Sequence, residues 1–255
     1  MSLLEVIDVH DSSRNLDVPE VEKTSAFPHL SADLTALPAI PGGWELREFD
    51  IGMRALQLYC PADPDLFLED GAVLAANERN DYTPYWAFLW PSSTKMSRLL
   101  EKAPWSAGAR VLELGSGIGL TGLAACARGD QVTFSDYDRT ALHVCRINAF
   151  RNRLDDPRTL LLDWREPITE QFDAIIGCEV TYDAPMHAVI LSLIGQMLKP
   201  GGVCWLGDPG RYQSRFFHEA AVDRGLHVRM FDQDLVEIAE AGSKGFQIFE
   251  LRHPN

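Results

Sequence analysis

The sequence predicts an α/β fold of the doubly wound, Rossmann-like type, with seven mostly parallel strands, an antiparallel hairpin at one sheet edge and an N-terminal β-hairpin/helix extension. Three observations lead to this prediction. From residue 110 onward, short apolar strand patterns alternate with helical patterns. The first of these strands runs into a glycine-rich turn, RVLELGSGIGLTG at 110–122. The last two strand patterns, at 226–233 and 245–253, follow each other with no helical pattern between them.

Three regions follow each other along the chain. Residues 1–42 are acidic and punctuated by proline, which is typical of a partly disordered arm. Residues 43–105 are predicted to hold a β-hairpin (WELREFDIG and MRALQLYC), an aromatic Trp-Pro loop and a helix with Pro91 in its first turn. Residues 106–255 carry the alternating pattern and form the third region.

Within the third region, strands and helices are predicted to alternate, except that the strands at 158–164 and 172–179 follow each other directly. The strands are expected at 109–115, 131–136, 158–164, 172–179 and 203–208. The helices are expected at 119–129, 138–153, 185–202 and 213–225, with Gly129, Gly201, Gly202 and Gly225 at their C-termini.

Composition restricts the class of protein. A formal net charge of −14 disfavours nucleic acid as the main partner and favours basic surfaces, such as one that presents lysine. Five scattered cysteines without a C-x-x-C indicate reduced, buried thiols of a cytoplasmic protein. No apolar run approaches the length of a membrane span, and the histidines show no metal-ligand spacing, so neither a membrane nor a metal is expected.

The glycine turn fits two classes of ligand. Gly117, Gly119 and Gly122 match the dinucleotide fingerprint G-x-G-x-x-G, in which a pyrophosphate docks on the following helix. S-adenosylmethionine uses a similar turn without a phosphate. A further glycine at 115 lengthens the turn, and Glu113 inside the strand can reach the cationic end of a methionine group. These two features favour S-adenosylmethionine over NAD.

Acidic and aromatic residues end the neighbouring strands. Asp136 ends the second strand, where a carboxylate can accept both ribose hydroxyls, although NAD enzymes also place an acid there. Asp138 is interpreted as the cap of the next helix. Asp163 and Trp164 end the third strand and are expected to contact adenine. Glu179 and Tyr182 follow the fourth strand, which lies beside the first in this topology, so both are expected near the methyl group.

An aromatic cluster precedes the first strand of the third region. The stretch DYTPYWAFLWPS at 81–92 includes Tyr85, Trp86 and Trp90. Aromatic clusters usually belong to a core. A loop in this place can also cover a cofactor or line a channel for lysine.

Together these motifs resemble the seven-stranded (class I) S-adenosylmethionine-dependent methyltransferases, and more closely the family 16 group of protein-lysine methyltransferases. The resemblance rests on PYWAFLWPSS (84–93), VLELGSGIGLTGLAA (111–125), SDYD (135–138), LLDW (161–164) and CEVTY (178–182). GDPGR at 207–211 is similar to the branch that methylates the electron-transfer-flavoprotein β subunit.

The resemblance implies a role for each of several residues. Glu179 and Tyr182 match the group's acidic-x-x-aromatic signature and are the expected catalytic residues; Tyr85, Trp86 and Arg211 are expected to contact the substrate. The expected cofactor-binding residues are Trp90, Glu113, Gly115, Ser116, Gly117, Gly119, Asp136, Tyr137, Asp163, Trp164 and Cys178.

The expected reaction is in-line transfer of the S-adenosylmethionine methyl group to a lysine ε-amine of a protein, which leaves S-adenosylhomocysteine. Three alternatives stay open at this point. The first is a methyltransferase for a small amine or a pyridine such as nicotinamide. The second is an NAD-dependent oxidoreductase, and the third is a non-catalytic protein that binds S-adenosylmethionine.

Overall fold

A computed structural model describes residues 36–80, 82–154, 157–242 and 245–254 of the chain. Residues 1–35 of the predicted arm lie outside the described residues. The arm and the boundaries of the three regions therefore stay predictions.

The N-terminal part of the described chain is a hairpin followed by helices. Strands β1 (Trp44–Asp50) and β2 (Ala55–Pro61) pair in antiparallel fashion, as the alternating sequence predicts. A 3-10 helix at Pro64–Glu69, α1 (Gly71–Asn80), a 3-10 turn at Tyr85–Ala87, α2 (Pro91–Leu99) and a 3-10 turn at Leu100–Lys102 follow. Pro91 occupies the first turn of α2, where its missing N–H leaves no hydrogen bond unmade.

Strands and helices then alternate as predicted. The strands are β3 (Arg110–Leu114), β4 (Gln131–Asp136), β5 (Arg158–Leu161), β6 (Phe172–Cys178), β7 (Leu198–Asp208), β8 (His227–Asp232) and β9 (Gln247–Arg252). The helices are α3 (Leu120–Arg128), α4 (Arg139–Arg151), α5 (Ala184–Met197) and α6 (Ser214–Asp223).

These strands form a seven-stranded sheet within the described residues, in the order β5-β4-β3-β6-β7-β9-β8. The first five strands in that order run parallel, whereas β9 is antiparallel to both β7 and β8. The predicted fold class, including the antiparallel edge, is confirmed.

Both faces of the sheet are buried, because apolar side chains of each strand point alternately to the two sides. Val111 of β3 packs on the side that carries α2, α3, α4 and the hairpin, whereas Leu112 and Leu114 pack on the side of α5 and α6. Asn148 of α4 and Asn152, which caps the C-terminus of that helix, bond the backbone of β2 with their amide groups and so anchor the hairpin.

The end of α5 corrects one prediction. The helix was expected to reach Gly202, but it ends at Met197, and residues 198–202 already belong to β7. Pro200 is the cause, since it disfavours the helical conformation of Lys199 and supplies no N–H for a helical hydrogen bond. Gly129 and Gly225, by contrast, have φ of +104° and +77° at the ends of α3 and α6, as expected.

The sheet order determines where the site lies. Strand β3 has β4 on one side and β6 on the other, although β6 comes much later in the chain. The loops after β3, β4 and β6 therefore meet at one edge of the sheet, at the point where the strand order reverses.

The contact between α3 and the sheet makes the first testable prediction. A Cβ atom at Gly122 would lie 2.5 Å from Phe134 Cε1 and would also overlap the Glu113 carboxylate. Gly122→Ala is expected to lower the free energy of unfolding by about 1–3 kcal/mol, measured by urea denaturation, because it overfills a packed interior.

The matched control is Gly195→Ala. Gly195 is exposed on α5, and a Cβ atom there would have no neighbour within 4 Å. Alanine is expected to raise stability by up to about 1 kcal/mol at this helical position. A Gly122→Ala protein as stable as the parent would show that α3 does not pack on the sheet as described.

Candidate functional site

The loop after β3 turns on three glycines with left-handed backbone. Gly115, Gly117 and Gly119 have φ of +62°, +52° and +94°, which other residues rarely adopt. Gly119 is the N-cap of α3, and a Cβ atom there would lie 2.6 Å from the Sγ of Cys145. The carbonyl oxygen of Trp86 lies 3.4 Å from the position of a Cβ atom at Gly117, so the aromatic loop sits directly on this turn.

Glu113 is a buried carboxylate at the end of β3. Its Oε1 accepts a hydrogen bond from the Gly122 N–H at 2.8 Å, whereas its Oε2 has no hydrogen-bond partner among the described residues. Burial raises the pKa of Glu113 to about 8, although the nearby Ser116 hydroxyl and the Gly122 amide act in the opposite direction. A buried carboxylate with a free oxygen is suited to a cationic partner.

Asp136 ends β4 beside the glycine turn. Its carboxylate accepts hydrogen bonds of 3.0 Å from the N–H groups of Gly117 and Asp138. Burial raises the pKa of Asp136 to about 6. The next residue, Tyr137, also faces the cleft, and its hydroxyl donates to the carbonyl of Thr83 at 3.0 Å.

Glu179 follows β6 and faces the same cleft. Its φ of +56° is unusual for a residue other than glycine and is held by surrounding contacts. The side chain is buried. Its Oε1 accepts the N–H of Ser92 at the start of α2 at 3.0 Å, and its Oε2 accepts from Arg211 Nη2 at 2.6 Å. Both carboxylate oxygens are therefore already bonded within the protein.

Arg211, which was expected to contact the substrate, lies mostly buried beside the cleft. Its side chain is 18% exposed and forms an ion pair with Glu179, and its contact with a substrate stays a prediction. Its guanidinium also lies 5.9 Å from the ring centre of Trp90. The reason is the tight turn after β7, which directs the side chain of Arg211 into the site.

Sequence reasoning did not assign a role to Asp208, which forms that turn. Asp208 is fully buried at the end of β7. Its Oδ1 accepts the N–H groups of Gly210 and Arg211 at 2.7 and 2.9 Å and the Ser214 hydroxyl, and its Oδ2 accepts the Thr181 hydroxyl at 2.9 Å. The signal was present as Asp-Pro-Gly, because aspartate often bonds the backbone of a turn that it begins.

The aromatic loop forms one wall of the site. The rings of Tyr85 and Tyr182 lie edge to face with centres 5.6 Å apart, and the centres of Tyr85 and Trp90 lie 6.3 Å apart. Trp86 is buried in the core, where it stacks on Trp44, and it also borders the cleft. The cluster therefore belongs partly to the core and partly to the site, so both interpretations of the sequence apply.

A contact with Asp138 holds this loop in place, and the sequence did not predict it. The Tyr82 hydroxyl donates to Asp138 Oδ2, and Trp86 Nε1 donates to the Tyr82 hydroxyl at 3.3 Å. Asp138 also caps α4 through the Thr140 N–H at 2.7 Å, as predicted. Burial raises the pKa of Asp138 to about 7, while the Tyr82 hydroxyl lowers it.

These groups line a cleft of about 840 Å³, part of which is open to solvent. Three carboxylates line it, from Glu113, Asp136 and Glu179, and none of the described lining residues is basic. A second, narrow space that is partly open to solvent is lined by Tyr85, Trp90, Glu179, Tyr182 and Arg211. A cleft with this charge fits a cationic nucleoside such as S-adenosylmethionine and disfavours the pyrophosphate of NAD.

Most of the expected cofactor residues border this cleft. They are Trp90, Glu113, Gly115, Ser116, Gly117, Asp136, Tyr137, Trp164 and Cys178. Gly119 does not line the cleft and instead forms the N-cap of α3. Asp163 is also outside the lining, and its carboxylate bonds Arg165, so its contact with adenine stays a prediction. In the described parts of the chain, no helix has the length and apolar character to cross a bilayer.

Solved structures of other proteins share this fold. The ribosomal protein L11 methylase from Lactobacillus delbrueckii subsp. bulgaricus aligns with a TM-score of 0.57 at 15% identity, over 82% of this chain and 100% of that one. A TehB-like S-adenosylmethionine-dependent methyltransferase from Corynebacterium glutamicum aligns with a TM-score of 0.52 at 21% identity, over 76% and 100% of the two chains.

Comparison with other protein sequences finds relatives that share one name. The electron transfer flavoprotein beta subunit lysine methyltransferase of Xenopus laevis is 33% identical over 135 residues, which are 51% of this chain and 54% of that protein. The protein of the same name from Homo sapiens is 29% identical over 171 residues, which are 64% and 62% of the two chains. The chain thus spans between about half and two thirds of the length of these relatives.

A sequence model described as lysine methyltransferase matches residues 74–221, more than half of the chain. This range includes the aromatic loop, the glycine turn, the strand-end acids and Arg211. The match confirms the resemblance to this family that the sequence motifs indicate. The chain belongs to the lysine methyltransferase family.

Proposed function

We propose that this protein transfers the methyl group of S-adenosylmethionine to a lysine side chain of a protein substrate. One observation carries the proposal. The cleft at the carboxyl edge of the parallel strands is lined by three carboxylates, and Glu179 and Tyr182 border both this cleft and the smaller aromatic space beside it. The first space suits a cationic donor, and the aromatic residues that line the narrow second space would contact the alkyl chain of a lysine.

The cofactor end of the cleft is built from the loops after β3 and β4. Glu113 would hold the amino group of the methionine part, because its free Oε2 is buried and without a partner among the described residues. Asp136 would accept the ribose hydroxyls next to the glycine turn. When bound, S-adenosylmethionine supplies a methyl group that is already activated by the positive sulfur.

The acceptor end must receive an uncharged amine, because a protonated nitrogen has no lone pair with which to attack. A lysine has an ordinary pKa of about 10.4, so it is mostly protonated at neutral pH. Glu179 would orient the amine, since both of its oxygens already accept hydrogen bonds. Tyr85, Trp90 and Tyr182 would exclude water and stabilise the methylammonium that forms by cation–π attraction.

The nature of the substrate is inferred from the relatives and from charge. Relatives from several vertebrates are named for lysine methylation of the electron transfer flavoprotein β subunit, and another relative is named a histidine protein methyltransferase homolog. These names share a protein as the acceptor. A net charge of −14 would attract a lysine-rich protein surface. The electron transfer flavoprotein β subunit is therefore the first substrate to test.

Isotope transfer tests this function directly. The protein is incubated with methyl-labelled S-adenosylmethionine in three separate reactions. Each reaction contains one possible acceptor: recombinant electron transfer flavoprotein β subunit, a cell extract, or nicotinamide. We expect label on lysine residues of a protein, located by mass spectrometry of peptides. Label on nicotinamide alone would move the function to small molecules, and the absence of label in every reaction would contradict the proposal.

The role of Glu179 makes the next prediction. Glu179→Gln removes the charge but keeps the size of the side chain, and it is expected to lower kcat by about 100-fold because the amine loses its orientation. The dissociation constant of S-adenosylhomocysteine, measured by calorimetry, should change by less than about threefold. Glu101→Gln, at an exposed position away from the cleft, is the matched control and should leave both quantities unchanged. Equal activity of the two variants would exclude Glu179 from the reaction.

The pKa of Glu113 makes a prediction about cofactor binding. With a pKa of about 8, Glu113 is mostly protonated at pH 6.5 and becomes ionised above pH 8. A cationic amino group binds the ionised form, so the dissociation constant of S-adenosylhomocysteine should fall by about tenfold between pH 6.5 and pH 8.5.

The substitution Glu113→Gln is the control for this titration. Glutamine keeps an acceptor for the Gly122 N–H but has no charge, so binding should be weaker and nearly independent of pH across this range. Calorimetry in buffers of different ionisation enthalpy should also detect a proton released on binding to the parent protein alone. A parent protein whose affinity does not rise with pH would disprove the assigned role of Glu113.

A further inference from the structure

The ion pair between Arg211 and Glu179 is buried at the acceptor end of the site. Arg211 Nη2 lies 2.6 Å from Glu179 Oε2, and the side chains are 18% and 3% exposed. Solvent ions screen a pair in such a place only weakly. The charge of Glu179 is therefore compensated inside the protein before any substrate arrives.

Other contacts hold the guanidinium in this position. The backbone N–H of Arg211 is bonded to Asp208 at 2.9 Å, which fixes the turn. The guanidinium faces Trp90, and its Nη1 lies 3.8 Å from Asp208 Oδ2 without a hydrogen-bond partner among the described residues. A positive charge thus lines the same small space as Tyr85 and Tyr182, where the proposed acceptor amine would enter.

This placement changes which form of an amine the site prefers. A carboxylate alone would attract an alkylammonium ion and would keep the amine protonated, which prevents methyl transfer. A carboxylate that is paired with a guanidinium attracts a cation less strongly, although this guanidinium also lies 3.8 Å from Asp208. The carboxylate can still accept a hydrogen bond from an uncharged amine, but it no longer favours the cation.

We propose that Arg211 is a positioning residue that neutralises Glu179, so that the acceptor site selects the uncharged form of a primary alkylamine. The proposal rests on the proposed function, because it places the acceptor at Glu179. It deepens that function by giving the site a preference between two protonation states of its substrate.

Other titratable groups face this pair and are considered with it. Asp208 lies beside Arg211 at the end of β7, and Tyr182 and Asp183 follow β6. Tyr85 faces the pair from the aromatic loop, and Glu113 and Asp136 lie across the cleft. Because all of these groups are retained when Arg211 is replaced, a difference between variants reports the charge of Arg211.

The test uses n-butylamine as the probe of the acceptor site. Its binding to the full chain saturated with S-adenosylhomocysteine is followed by NMR at pH 7.5 and pH 9.5. The parent protein should bind at least about tenfold more tightly at pH 9.5, because the uncharged fraction of an amine with a pKa near 10.4 rises steeply over this range. Arg211→Gln should abolish or reverse this dependence, with tighter binding at pH 7.5 than the parent shows.

Conservative replacement separates charge from structure. Arg211→Lys keeps the positive charge and should restore the pH dependence of the parent, which a merely structural role of the arginine would not explain. If Arg211→Gln does not fold, Glu179→Gln decides. Because the parent site is proposed to bind the uncharged amine at both pH values, loss of the acceptor carboxylate should weaken binding by the same factor, within about twofold, at pH 7.5 and at pH 9.5.

Each result leads to one conclusion. A parent-like pH dependence in folded Arg211→Gln, or a weakening in Glu179→Gln that is at least about threefold greater at pH 7.5 than at pH 9.5, overturns the role of Arg211. A parent protein that binds no S-adenosylhomocysteine overturns the proposed function instead, and this binding is measured first, in the absence of the amine.

Discussion

Buried carboxylates at the ends of successive parallel strands, bonded by backbone amides, organise this site. Glu113, Asp136, Glu179 and Asp208 each accept at least one backbone N–H from a loop or helix that packs at the sheet edge. Removing a carboxylate from water costs several kcal/mol, and hydrogen bonds to a charged group offset about 1.5–3 kcal/mol each. The loops at the sheet edge must therefore adopt conformations that bring their amides to these oxygens.

The negative charges of these four carboxylates are not compensated equally. The two ends of the cleft therefore differ in charge. Burial raises the pKa of Glu113 to about 8 and that of Asp136 to about 6, because amides alone do not replace the lost solvation. Glu179 instead has a guanidinium partner and a helix N-terminus. The cofactor end thus retains a need for positive charge, whereas the charge at the acceptor end is already paired. This asymmetry agrees with a cationic donor at one end and an uncharged nucleophile at the other.

The N-terminal extension completes the site rather than merely preceding it. The loop that carries Trp86 rests on the glycine turn and is held by Tyr82 on Asp138, while Trp86 itself stacks on Trp44 of the hairpin. The start of α2 supplies the N–H that binds Glu179. Strands outside the seven-stranded sheet therefore help to hold one wall of the cleft in place.

The sequence alone determined the doubly wound α/β fold class, the glycine turn and the positions of acidic residues at the strand ends. Alternating apolar patterns predict the strands, and parallel strands place their carboxyl ends together, so Glu113, Asp136 and Glu179 were expected at one edge. The end of α5, which was predicted too far along the chain, also follows from the sequence, because Pro200 disfavours a helix at that point. These features depend on near neighbours in the chain and on a single topological rule.

Only the tertiary structure decided which partners these acids take. The bonds from Ser92 and Arg211 to Glu179 cross 87 and 32 residues, and the bond from Tyr82 to Asp138 crosses 56. No periodicity encodes such pairs, because the direction of a side chain on a loop depends on a few backbone angles and on every group packed against it.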